Sequence, residues 1–563
     1  MLVLLIIWSF LGTCCWSLGT LLLEFCFPNA IADQRDRFWV SLWLGIVILC
    51  NLLLVISFFT PLTTTVGITV WTIAIATAVL WRKTRSRLKE LLSSLNHRSI
   101  YISIVTAMLV GIFASILTMW YDTGLYHYQV IKWLANFGTV PGLGLVHHRF
   151  AKPAALFTIS AILEHSILTN RATGAVVGFI TLVFVGQLLA SVNKITDANQ
   201  KKNFSDYFLA TYSGYTLMSI LLFDSSILKS TSPDGVIALI SGIPLWVMLM
   251  HCQNGNQSTC LIATLLASGI VSFKWSGLVI LGVVCIWAIF ESIKSNFKAT
   301  IFNIGLVGLT AILPLIPTLS YGFITSGCPL FPSSFLCLDV PWGVGKSNAE
   351  TVKQFITDFQ KWVQWGGSPR PDPLGWLLPW VQQQVLATVQ ICICVLLSFV
   401  VFSKFPKSSV WRQAGKYVVG MSLGGIIYVM LLSPSIRFII GYVSIVPAFW
   451  LAQLVSCRTL SKRWERGLWI VLLILWVILI IYFLIFHDRN PSLLIPQEVP
   501  ELQVSLLQRK QAIDFNYIVL QSTDAQCWSA DLPCTSGNLI ENLDRVRLLN
   551  PDRGIGGGFR RAD

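Results

Sequence analysis

Apolar runs of about 18 residues or more recur along almost the whole of this chain, and each is long enough to cross the hydrocarbon core of a bilayer as a helix. Lipid offers no partner for a backbone N–H or C=O, so a spanning segment must satisfy its own, which a helix does. The two-residue alternation of a membrane barrel is absent. Composition agrees: 12% of the residues are charged and mean hydropathy is +0.70, whereas soluble domains carry about 25% charged residues. The runs predict spans near 2–26, 39–60, 66–81, 99–119, 173–192, 206–223, 233–250, 259–271, 276–290, 299–317, 378–403, 417–432, 438–456 and 467–486. The segment from Leu2 to Cys26 lacks a basic leader and a small-residue cleavage site, so it reads as a span rather than a signal peptide. The expected fold class is all-α: a polytopic transmembrane helical bundle of about 14 helices. Residues 1–486 form the transmembrane domain, and 487–563 form a small external C-terminal tail.

Net charge is +14, but the Lys and Arg residues sit in short segments between apolar runs, a pattern of topology rather than of nucleic-acid binding. Arg82, Lys83, Arg85, Arg87 and Lys89 mark one loop as cytoplasmic. Alternating from it, the segments 27–38, 82–98, 193–205, 251–258, 291–298, 404–416 and 457–466 share that side and hold 21 of the 40 Lys and Arg. Three longer segments then lie outside: 120–172, 318–377 and the tail. Such a chain is expected to be multi-pass in the plasma (inner) membrane, with these loops and its C-terminus periplasmic or extracellular. Cys527 and Cys534, in QCWSADLPC, are spaced to close a disulfide loop in an oxidising compartment, or else remain free thiols. Cys328 and Cys337 offer a second such pair.

Polar chemistry is densest in the first external loop, MWYDTGLYHYQVIKWLANFGTVPGLGLVHHRF. Asp122 follows a span directly, and an acid at that depth is a functional candidate or the cap of the next helix. Leu125, Tyr128, Ile131 and Leu134 recur at spacings of three, which predicts a helix over 125–137 lying along the membrane surface, with Tyr126, Tyr128 and Trp133 at the interface. Tyr121, Tyr126, His127, His147 and His148 are candidates for a substrate cavity. Glu164 and His165, on a second short apolar helix, are placed against the same cavity. The histidines match no standard metal spacing; a divalent cation and acceptor contacts both stay open, and no metal ligand is assigned. Asp234, in Ser232-Pro233-Asp234, reads as a helix start or as a cavity acid. Lys274, between two short apolar runs, and Arg437, opening a late span, read as snorkelling anchors or as ligands of a lipid phosphate. The Trp residues from Trp342 to Trp380 read equally as an aromatic belt or a stacking wall.

Tyr121-Asp122 after an early span, Phe273-Lys274-Trp275-Ser276-Gly277, and Arg437-Phe438 followed by Pro447 together resemble membrane glycosyltransferases of the GT-C type. The second segment is similar to the Lys-Trp-x-Gly element of protein O-mannosyltransferases. The chain also resembles a bacterial, largely cyanobacterial, group of polytopic membrane proteins in YDTGLYHYQVIKWL, SGCPLFPSSF and QCWSADLPC. The resemblance spans about residues 99–450. It implies a GT-C-like fold and an inverting transfer of sugar from a polyprenyl-phosphate donor to a saccharide, lipid or protein acceptor. Asp122 would be the catalytic base, and Lys274 and Arg437 would hold the donor phosphate. The departure is that Asp122 is followed by Thr123 rather than by a second acid, and that three extra N-terminal spans come before the one it follows. A lipid-linked saccharide transporter or flippase, and a polysaccharide polymerase or ligase, are the alternatives. Membrane lipids are expected partners and nucleic acid is not.

Overall fold

In a computed structural model the chain is described except for residues 95–96, 166, 198–199, 295–296, 370–371, 405–409, 457–492, 501–506, 521–525, 536–542 and 563. Thirteen of the fourteen expected spans coincide with helices; the last, 467–486, lies outside the described residues. Among the described residues seven helices are long and apolar enough to cross a membrane, or ten if three bent pairs each count as one span. The figure is lower than fourteen for physical reasons. Ile100–Ala114 and Gln257–Phe273 are apolar but short. Phe204–Phe223 carries Asp206, Tyr207, Tyr212, Ser213, Thr216 and Ser219 on its buried side, so it reads as an interior helix of mixed polarity.

Small residues let the first two helices meet closely. A Cβ at Gly19 would overlap the backbone of Ser41, and one at Gly45 would overlap the backbone of Cys15. Such small-residue contacts replace the missing hydrophobic drive between helices in lipid. Because the obstacle is main chain, no rotamer change relieves it. Gly45→Val is therefore expected to destabilise the protein by at least about 1–3 kcal/mol, read as an earlier loss of the monodisperse peak on heating in detergent. An unchanged melting profile would show that the two helices need not touch.

The loops sort into two sets. At one end Arg37 and Arg87 meet Glu24 at 2.8 and 3.0 Å, and Lys194 lies 3.1–3.2 Å from Asp33, Asp36 and Asp206. The Asn256 side chain donates to the Asn29 carbonyl at 2.7 Å. These contacts join 27–38, 82–98, 193–205 and 251–258, the segments that the basic-residue alternation places together. At the other end Gly142 N–H donates to the Ile324 carbonyl at 3.0 Å, Phe559 N–H to the Pro141 carbonyl at 2.9 Å, and Val499 N–H to the Asn170 carbonyl at 2.8 Å. So 120–172, 318–377 and the tail assemble on one another.

The tail holds short strands. β1 (Leu507–Gln511), β2 (Asn516–Leu520) and β3 (Cys534–Thr535) form one sheet, antiparallel then parallel; β4 (Val546–Leu548) and β5 (Phe559–Arg561) form an antiparallel pair. Cys527 bonds to Cys534 and Cys328 to Cys337.

The helix expected over 125–137 is present as a π-helical turn, Thr123–His127, running into an α-helix, Tyr128–Phe137. Its expected setting is corrected. Tyr128, Gln129, Val130, Ile131, Trp133 and Leu134 are all buried. The tail covers its polar side: Gln129 donates to the carbonyls of Trp528 and Ala530, and Lys132 to those of Ser529 and Ala530. This helix lies inside protein rather than along a lipid surface.

Candidate active site

Five separate stretches of the chain each deliver a charge to one place. Asp122 stands at the start of the π-helical turn, which hydrogen bonds from Thr123 and Gly124 N–H to the Trp120 carbonyl fold tightly. Such turns are rare and recur at functional sites. Arg149 lies in the 3₁₀ turn His148–Ala151, whose entry is fixed by His147 Nδ1 accepting from Arg149 N–H at 3.1 Å. Asp234 is in the first turn of Pro233–Ile240, where Ser232 Oγ accepts its N–H at 3.3 Å. Lys274 is extended (φ −163°, ψ 138°) at the break between the helix Gln257–Phe273 and the turn Trp275–Gly277. Arg437 is the second residue of Ile436–Ser456.

Together these side chains form a row of alternating sign. Arg149 Nη1 is 3.6 Å from Asp122 Oδ1; Asp122 Oδ2 is 2.7 Å from Arg437 Nη1; Arg437 Nε is 3.3 Å from Asp234 Oδ2; and Lys274 Nζ contacts Asp234 Oδ1. Aromatic faces support the cations. Arg437 lies 5.5 Å from the Trp120 ring and 4.9 Å from Phe438, and Lys274 3.5 Å from Phe438. Arg149 and Lys152 both sit over Tyr126, at 5.4 and 5.6 Å. Burial pushes the Asp122 carboxyl up, but Arg437 and Arg149 more than offset this and hold it below the usual carboxylate range. It stays ionised.

The other expected residues fall in different settings. His127 is buried beside Tyr126 and Phe157, with Nδ1 3.4 Å from Thr123 Oγ1; burial pushes it down to about 3, so it is neutral. His147 and His148 are buried and stacked at 4.6 Å, and burial also lowers His147. Tyr121 is exposed. Glu164 and His165 are corrected: Tyr128 O–H donates to both Glu164 oxygens, and His165 Nε2 lies 2.9 Å from the Ala135 carbonyl. They brace the buried helix and join no charged side chain of the row. Among the described residues no three His, Cys, Asp or Glu side chains converge as metal ligands.

Asp122, Asp234, Lys274 and Arg437 thus lie together, each at or beside a helix end. Asp234 proves to be both a helix-start residue and a member of the row. Arg149 and Lys152 were not singled out by sequence; each is an ordinary basic residue in a polar loop. The signal available was the pair of histidines ahead of Arg149, which sets the turn.

A family model described as "Domain of unknown function (DUF8201)" matches residues 1–444. No curated protein matches the chain. Among solved structures, the arabinosyltransferase EmbB from Mycobacterium smegmatis is similar, with a TM-score of 0.38 and 13% identity over 69% of this chain and 34% of that one. The chain therefore spans about a third of that protein's length.

Proposed function

The chain belongs to the DUF8201 family, and we propose that it is a multi-pass membrane glycosyltransferase of the inverting type, taking its sugar from a polyprenyl-phosphate donor. The observation that carries the reading is the row Arg149–Asp122–Arg437–Asp234–Lys274, an ionised acid set among cations at one end of an apolar bundle. The acceptor hydroxyl attacks the anomeric carbon, the bond from that carbon to the phosphate oxygen breaks, and the hydroxyl proton passes to Asp122. The leaving phosphate keeps the electron pair, and its charge is met by guanidinium and ammonium groups. No second carboxylic acid is required, because the departing phosphate is a stable anion. Acceptors carrying a hydroxyl, whether saccharide, lipid or protein, satisfy the same chemistry.

Asp122 is a poor base while both arginines hold it. A phosphate entering the row competes for those guanidinium groups, and Asp122 regains basicity as it does so. Donor binding thus switches the acid on, which orders the reaction: donor first, acceptor second. The end that carries the row is read as the non-cytoplasmic face, because basic residues are densest in the segments of the opposite end.

Among the described residues the Lys152 ammonium stands in no hydrogen bond or ion pair, and it lies 5.6 Å from the centre of the Tyr126 ring. Burial, with the charges of Arg149, Lys274 and Arg437, pushes it down to about 7 despite Asp122. It is charged below that pH and neutral above, so affinity for an anion falls as pH rises through about 7. Lys152→Arg keeps the charge and is expected to flatten that dependence. The check is polyprenyl-phosphate affinity measured from pH 6 to 9 on both proteins, and the same slope in both would remove Lys152 from the site.

The direct test is native mass spectrometry of the detergent-solubilised protein with polyprenyl phosphate and with neutral polyprenol. Retention of the phosphate alone, with head-group density at Asp122, Lys274 and Arg437, supports the reading. Equal retention of both lipids, or lipid only on the outer belt, overturns it.

A further inference from the structure

The turn that presents Asp122 is gripped by a piece of the chain almost four hundred residues away. Trp528 N–H donates to the Gly124 carbonyl at 2.9 Å, two residues past Asp122. Gly124 is buried so closely beneath this contact that a Cβ there would overlap the side chains of Gln526 and Trp528. One and two turns further on, Gln129 donates to the Trp528 and Ala530 carbonyls at 3.0 and 3.2 Å, and Lys132 to those of Ser529 and Ala530 at 2.7 Å each. The Trp528, Ser529 and Ala530 groups in these contacts all lie between Cys527 and Cys534, inside the ring that their disulfide closes. Ala530 N–H donates back to the Cys527 carbonyl at 2.8 Å, and Trp528 is held at φ +38°, a conformation that a side-chain-bearing residue keeps only under constraint. The ring is anchored in turn on the tail's own sheet, where Ile518 pairs with Cys534.

Within the membrane domain the Asp122 turn is fixed by the Trp120 carbonyl, which accepts from Thr123 and Gly124 N–H, and by the ion pairs of Asp122. It is a single π-helical turn, and Gly124 within it is the residue type with the most backbone freedom. From the tail, Trp528 N–H holds the turn itself, and the carbonyls of 528–530 hold Gln129 and Lys132 on the helix that follows it. All of these tail groups lie within the ring that the Cys527–Cys534 disulfide closes.

We propose that the disulfide-closed loop 527–534 is the positioning element of Asp122, so that the row of charges is complete only after Cys527 and Cys534 have been oxidised. The loop touches no reacting atom and acts through the turn. Closure removes two electrons and two protons from the two thiols, and a thiol oxidant of the disulfide-exchange class receives them. The protein would therefore mature in an oxidising compartment, on the face where the tail assembles. The part of the inference that concerns transfer rests on the proposed function; the part that concerns the turn does not.

The experiment is hydrogen exchange on the full-length protein carrying Cys527→Ser and Cys534→Ser together. Amide exchange across 123–132 should rise at least tenfold, while 175–196 in the membrane domain stays as in the wild type. Lys132→Met should do the same and Lys132→Arg should not. Wild-type protection across 123–132 in the double variant overturns the proposal. If that variant does not fold, the same reading comes from a Cys328→Ser/Cys337→Ser background treated with dithiothreitol, where 527–534 is the one disulfide left to reduce among the described residues. Glycosyl transfer, measured alongside, should fall in maximal rate with donor KM no higher than in the wild type; a raised donor KM at an unaltered rate would overturn the assignment to Asp122. Wild-type protein that transfers no sugar, yet shows the exchange difference, removes the glycosyltransferase reading and leaves the positioning role standing.

Discussion

Asp122→Asn lowers sugar transfer by about 10²–10⁴-fold, the usual share of a positioned general base, while the protein still extracts and runs as a single species. The amide keeps the shape of the carboxylate but cannot take the acceptor's proton. It also answers two arginines with one oxygen. Its NH₂ group must then face Arg437 Nη1 or Arg149 Nη1, which lie 2.7 and 3.6 Å from the two carboxylate oxygens. A donor facing a donor costs about 1–3 kcal/mol where the groups are buried, so a lower melting temperature accompanies the lost activity. The pH profile of the wild type separates the roles further. Because the arginines hold Asp122 below the usual carboxylate range, the acid is already ionised at pH 5 and above before donor binds. A change in donor affinity centred near pH 7 therefore belongs to Lys152 and vanishes in Lys152→Arg. Transfer by Asp122→Asn within twofold of wild type would remove the catalytic assignment, whatever the lipid-binding result.

Some of this was legible because it is local. An apolar run of membrane length has one structural outcome, and thirteen such runs became helices. Placement at helix ends marked Asp122, Asp234, Lys274 and Arg437, since a charge there must be hydrated, paired or used. What sequence could not supply was the pairing itself. Lys274 and Arg437 read equally well as anchors reaching for water, and only the packing of Pro233–Ile240 against both Gln257–Phe273 and Ile436–Ser456 shows that Asp234 lies between them.

The errors share one cause. The three-residue spacing of Leu125, Tyr128, Ile131 and Leu134 correctly gave a helix, but periodicity cannot say what covers its other face. Here the cover is the 528–530 loop rather than lipid head groups. Glu164 looked like a cavity acid because it sits on a short helix of the same loop; its partner, Tyr128, is buried on the helix beneath it. The tail strands are two to five residues long, too short for alternation to show. For the covered helix and for Glu164 the deciding contact joins residues far apart in the chain, and no window of sequence contains both.

Arg437→Gln is the substitution expected to cost most in stability, because this one guanidinium serves two carboxylates. Nη1 is 2.7 Å from Asp122 and Nε 3.3 Å from Asp234, whose side chains are 13% and 4% exposed. Without it, the ion pairs left among the described residues are Arg149 with Asp122, at 3.6 Å, and Lys274 with Asp234. Removing one member of a buried pair costs about 3–5 kcal/mol. The Arg437 side chain is 27% exposed, and water reaching the gap reduces this to about 2–3 kcal/mol. Arg437→Lys recovers only part of it, since an ammonium cannot present two donors in a fixed fork to two separate acids. Pairing Arg437→Gln with Asp234→Asn distinguishes the network from a simple packing defect. If the row is the unit, removing an excess negative charge restores stability, and the double variant is more stable than the sum of the singles predicts. Strict additivity in denaturant unfolding would mean that Arg437 and Asp234 stand near each other without being coupled, and the alternating row would no longer be one electrostatic unit.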